Sequence, residues 1–113
     1  MKLVNKTKNK AILLSLKQAD TFLSKAIGLL NKQRLEKEEG LLFTNCNSVH
    51  TLGMRFSIDV IFLDEGNRVV KIVSCLKPMR LCFGPFKTKY VIESFCGAFK
   101  GQINKGDVLI WEE

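Results

Sequence analysis

Apolar and polar positions along the chain change their spacing several times, and each change marks an element. Residues 11–16 form a short apolar run that predicts a strand. Asp20 or Thr21 can cap a following helix, because a short side-chain oxygen accepts a bond from a free first-turn N–H. Phe22, Ala26, Leu29 and Leu30 recur at one-face helical spacing, although Gly28 weakens the helix. Residues 31–39 are mostly charged and polar and predict a surface loop ending at Gly40. From residue 46 to 62 the spacing shifts to two. Cys46, Ser48, His50, Leu52, Met54, Phe56, Ile58, Val60 and Phe62 are even, whereas Arg55, Ser57 and Asp59 are odd. In one regular strand the even face would start polar and turn into core by Met54, with Arg55 and Asp59 on the opposite face. Gly53 interrupts this pattern, since glycine inside a strand often marks a bulge that flips the register.

Asp64, Glu65, Gly66 and Asn67 separate the apolar runs 58–63 and 69–73, a composition suited to a hairpin turn needing a residue at positive φ. Residues 74–89 contain Pro78, Gly84 and Pro85 among many apolar side chains and predict an ordered, packed loop with one short edge strand. Residues 90–95 form a further strand and 98–103 a helical turn. The polar run 104–107 then leads into a last strand over 108–111. Several short strands and one short N-terminal helix predict a mainly β single domain, a small sandwich or partly open barrel.

Composition changes this picture only at the N-terminus. The chain has 113 residues, room for one hydrophobic core. Its formal net charge of +7 is carried entirely by residues 1–35, where eight cations face Asp20 alone. Residues 1–10 therefore read as a basic, partly ordered leader and 11–113 as the domain. Clustered lysines could draw in nucleic acid or an anionic membrane surface. Residues 1–10 lack the arginines and aromatics that nucleic-acid binders interleave, which argues against nucleic acid and for a solvating role. The early apolar run is too short for an export signal or a membrane span, so cytoplasmic residence and a monomer or weak dimer are expected. Cys46, Cys75, Cys82 and Cys96 form no CxxC pair, and reduced thiols are the expectation.

Candidate chemistry gathers in residues 46–59. Cys46 and the only histidine, His50, supply a thiol and a base, which makes Cys46 a candidate reactive thiol. Residues four apart in a strand lie about 13 Å from each other at ~3.3 Å per residue, so the pair would need a turn to meet. Cys46 and His50 could also converge with one of the other cysteines on a metal, but tight ligand pairs are absent, and no metal site or cofactor is assigned. Asp59 and Asp64 have opposite parity and do not suit a paired-carboxylate hydrolase. Arg55 offers a planar fork of donors for a carboxylate or phosphate. Its structural alternative is pairing with Asp59 to fasten loops. Ser48, His50, Thr51, Arg55 and Asp59 are the candidate ligand-binding set.

Ala26-Ile27-Gly28-Leu29-Leu30, Glu39-Gly40-Leu41-Leu42-Phe43, the run from Cys46 to Thr51, the run from Met54 to Asp64 and Lys105-Gly106-Asp107 occur in an order and spacing that resembles the domain of unknown function 192 family. The likeness spans residues 11–111. It implies a compact, mainly β single domain and brings no established activity. Members of that family often carry proline at the position of Ser57 and a larger, often aromatic residue at that of Gly53, and the stretch from Leu81 to Phe86 is atypical. The reading that results is a binding or accessory module with a polar patch for a small anionic or hydroxylated ligand or a protein partner. The alternatives are a hydrolase or transferase using Cys46 and His50, and a nucleic-acid or membrane-surface contact through the N-terminal lysines.

Overall fold

The computed structural model describes residues 1–13, 15–18 and 39–113. The helix expected over 20–30 and most of the loop expected over 31–39 lie outside them. Ten strands are described: β1 (Lys2–Asn5), β2 (Lys10–Leu13), β3 (Ser15–Gln18), β4 (Glu39–Thr44), β5 (Ser48–His50), β6 (Ile58–Asp64), β7 (Val69–Leu76), β8 (Leu81–Phe83), β9 (Thr88–Phe95) and β10 (Leu109–Glu112). They form three open sheets: β3-β4-β9-β6-β7, β10-β1-β2 and the ribbon β5-β8. β3 and β4 pair in parallel, and the other pairings are antiparallel.

The five-stranded sheet is covered on both faces, which explains why β6 is apolar without alternation. Ile61 and Leu63 of β6 join Leu3, Leu13, Leu109 and Phe99 in one core. Ile58, Val60 and Phe62 join Val49, Met54 and Cys82 in the other. The even face read from the sequence is thus the face toward the β5-β8 ribbon. Gly84 lets the chain after β8 close onto this core, because a Cβ there would lie 2.5 Å from Phe62 Cδ1 and 2.6 Å from Thr88 Oγ1. Lys71 fastens β8 further, donating to the Phe83 carbonyl at 2.7 Å with its ammonium 5.7 Å from the centre of the Phe62 ring.

The 64–67 hairpin forms as expected. Asp64 Oδ1 accepts from the amides of Gly66 (2.9 Å) and Arg68 (3.0 Å), and Asn67 rather than Gly66 takes the positive φ, 63°. Asn and Asp side chains make this turn by bonding to backbone two residues on.

Four expectations are corrected. Residues 46–62 are not one strand: the chain turns between β5 and β6, with Gly53 at φ 81°. Residues 98–103 make successive turns, with bonds from Ala98 to Phe95, Lys100 to Gly97 and Gln102 to Phe99, rather than the one helical turn expected. The basic N-terminal residues are part of the domain, since β1 lies between β10 and β2 and buries Leu3 and Asn5 completely. Finally, Cys75 and Cys96 are disulfide-bonded, so only Cys46 and Cys82 keep the thiol expected of all four. The bonded pair lies 21 positions apart in sequence, and only the placing of β7 and β9 on either side of β6 brings their Cα atoms to 4.7 Å.

Candidate functional site

The β5-β8 ribbon and the turns at its ends hold most of the residues singled out above. Directly opposed residues of an antiparallel pair point to the same face. Val49 and Cys82 oppose each other and are both buried. Ser48 opposes Phe83 and His50 opposes Leu81, so these four share the outward face. Ser48 and His50 are partly buried there, whereas Leu81 and Phe83 stand well out.

Thr51 follows the ribbon and is completely buried. Its hydroxyl donates to the Lys77 carbonyl at 2.6 Å and accepts from the Arg80 amide at 2.9 Å. Its own amide donates to the Arg80 carbonyl, and its carbonyl accepts from Met54 and Met79. Thr51 is therefore a clasp between the 51–54 turn and the 77–80 loop, and its hydroxyl is committed to backbone. Arg55 lies beyond the Gly53 turn and is exposed.

Asp59 belongs to a different environment. It is 1% exposed, with Oδ1 accepting from the Cys75 amide at 2.8 Å and Oδ2 from the Phe99 amide at 3.1 Å. The β6-β7 register shifts between Ile58 and Val60, and Cys75 takes φ 50°, so the carboxylate and both cysteines collect at this irregularity. The structure thus separates the predicted five. Ser48 and His50 share a face, Thr51 fastens a loop beneath it, exposed Arg55 follows in the next turn, and Asp59 sits with the disulfide. Cys46 donates its thiol to the Ser48 carbonyl at 3.1 Å and its amide to the Lys89 carbonyl at 3.1 Å, which ties it to backbone beside the ribbon.

The features that sequence reading missed are apolar and cationic. Met79, Leu81 and Phe83 are 63–64% exposed and Phe86 is fully exposed, with Leu52 nearby in sequence to the ribbon's other strand. Lys77, Arg80 and Lys87 are exposed among them. Neither residues 40–58 nor residues 66–92 contain any Asp or Glu. The signal lies in the run 74–89, whose many apolar residues read from the sequence as packing. Alternation in β8 buries Cys82 and turns Leu81 and Phe83 outward instead. Leu81 and Phe83 thus share one exposed face, and exposed apolar side chains gathered on a small domain mark a contact surface.

Among the described residues no helix is long and apolar enough to cross a membrane. The DUF192 family model, described as an uncharacterized ACR, matches residues 3–111. A UPF0127 protein of Pyrococcus furiosus is 34% identical over 96% of this chain and 97% of its own length. Another, from Pyrococcus horikoshii, is 37% identical over 80% of this chain and 81% of its own length. A crystal structure of a protein of unknown function from Novosphingobium aromaticivorans shares the fold at TM-score 0.77 and 22% identity, covering 97% of this chain and 82% of that one.

Proposed function

The chain belongs to the DUF192 family, and we propose that within it this protein is a binding module whose β5-β8 face docks on an anionic lipid surface. The observation that carries the reading is the coincidence of protruding Met79, Leu81, Phe83 and Phe86 with exposed Lys77, Arg80 and Lys87 on a stretch free of carboxylates. Apolar side chains that project fully from the surface suit insertion among lipid headgroups better than capture of a peptide, which needs a concave groove. Each cation close to an anionic bilayer contributes on the order of 1 kcal/mol, and burying an aromatic or aliphatic side chain contributes roughly 1.5–3 kcal/mol more.

This reading keeps the anionic partner inferred from Arg55 and replaces the polar patch for a small ligand by a broader face, because Thr51 and Asp59 are occupied by backbone amides and carbonyls. Ser48, His50 and Arg55 remain as its polar members. The hydrolase alternative has less support, since the Cys46 thiol donates to the Ser48 carbonyl. The N-terminal lysine alternative also has less, since Lys2 and Lys8 pair with Glu112 and Asp107.

Sedimentation with phosphatidylcholine vesicles, with and without phosphatidylglycerol, tests the proposal. The protein should pellet with the anionic vesicles only, less so as salt rises, and the double variant Phe83→Ser/Phe86→Ser should stay in solution while remaining folded. No pelleting of the parent rejects the lipid, and equal pelleting of variant and parent rejects the β5-β8 face; retention instead on an acidic protein resin that the variant loses would transfer the face to a protein partner.

A further inference from the structure

Asp59, Cys75 and Cys96 place one carboxylate oxygen and two sulfur atoms within 4.8 Å of one another. We propose that reduction of the Cys75–Cys96 bond converts this cluster into a zinc(II) site, with two thiolates and the Asp59 carboxylate as protein ligands and water in the fourth position. The inference is independent of the lipid-binding reading.

Three observations support it. The donor set is one zinc accepts, with Zn–S near 2.3 Å and Zn–O near 2.0–2.2 Å, so ligand atoms on a common ion lie ~3.5 Å apart; the two sulfurs, joined in the disulfide, separate to that spacing once reduced, and the carboxylate oxygen already lies within 4.8 Å of both. The carboxylate is already fixed: both oxygens accept backbone amides, from Cys75 and Phe99, and each keeps a lone pair for a metal. Such outer hydrogen bonds hold ligating carboxylates in orientation. One of the two amides that Asp59 engages belongs to Cys75 itself, so breaking the disulfide leaves one thiol tied next to the carboxylate through its own main chain.

Access also fits. Asp59 is buried, Cys75 is half-buried and Cys96 is exposed, so the ion would enter from the Cys96 side and its open position would face solvent. The oxidised cluster cannot bind in this way, because disulfide sulfurs carry no thiolate charge. Reduction by a dithiol transfers two electrons and two protons to the bond, giving two thiols on the chain and a disulfide on the reductant. Zinc then displaces the two thiol protons to solvent. Three protein ligands with one open position describe a labile or reactive zinc rather than a closed structural one.

The test uses the full chain carrying Cys46→Ser and Cys82→Ala, so that only this pair can react. The protein is reduced with a phosphine, desalted and titrated with zinc against a chromophoric chelator, and with cobalt(II) to read thiolate-to-metal absorption. The proposal predicts one zinc per reduced chain, none per oxidised chain, a tetrahedral cobalt spectrum with two thiolates, and affinity at least tenfold weaker in Asp59→Asn. Cys96→Ser alters an exposed side chain, should fold, and should lose binding, which keeps the test decisive if Asp59→Asn fails to fold. A reduced chain that binds no zinc, or an Asp59→Asn chain that folds and binds as tightly as its parent, overturns the proposal.

Discussion

Thr51 and Asp59 both look like ligand contacts in the sequence, and both act on backbone. A hydroxyl or carboxylate at a polar strand position gives no sign of its partner, because the partners here, Lys77, Arg80, Cys75 and Phe99, arrive from elements 16 to 40 residues away. Losing one partner of a buried hydrogen bond costs the desolvation of the other, about 1–3 kcal/mol. Thr51→Val should therefore lower stability by about 2 kcal/mol in urea unfolding, and Thr51→Ser by clearly less. Asp107 provides a pH-dependent counterpart. A hydrogen bond from Asn5 Nδ2 at 2.8 Å, the Asn104 amide and the charge of Lys8 hold its carboxyl below the ordinary carboxylate range against the opposing effect of burial. Because the folded value is the lower one, its contribution is complete above the unfolded pKa and disappears as pH falls through the folded one. Asp107→Asn should destabilise the protein at neutral pH, and the difference from the parent should vanish in acid.

At the scale of elements, the sequence is a good guide wherever one period persists. The β6-β7 hairpin, β6 itself and the final strand follow from short apolar runs and the turn chemistry between them. The even face of Ile58, Val60 and Phe62 is indeed core. Legibility fails at Gly53, where a turn cancels the parity that joined Arg55 to Asp59, and at β8, where alternation hidden in an apolar run exposes Leu81 and Phe83. The disulfide could not be read from spacing, since it links the ends of two strands that flank a third. Closing its loop of about 21 residues should stabilise the fold by roughly 3 kcal/mol. Reduction should accordingly lower the thermal midpoint, and under the zinc proposal added zinc should recover part of the loss. Gly84→Ala should also destabilise by forcing a methyl against Phe62, whereas Phe86→Ser should leave the midpoint almost unchanged and Phe83→Ser should change it little, as the first side chain is fully and the second mostly in solvent.

Over the whole molecule, formal charge and usable charge differ. The excess lies in residues 1–35, yet among those described β1 is the middle strand of its sheet and Lys2 and Lys8 have acidic partners. The surface that unites cations with exposed apolar groups is formed instead within residues 66–92, a stretch that carries six cations and no carboxylate. Net charge therefore misdirects attention to the terminus, and the fold reassigns it to the β5-β8 face. Amide hydrogen exchange with and without phosphatidylglycerol vesicles separates the two surfaces within one measurement. Docking through the proposed face predicts slower exchange over residues 77–87 and the adjoining 48–55, with β1 and β2 unchanged. Protection confined to the N-terminal strands, or none anywhere, would contradict it.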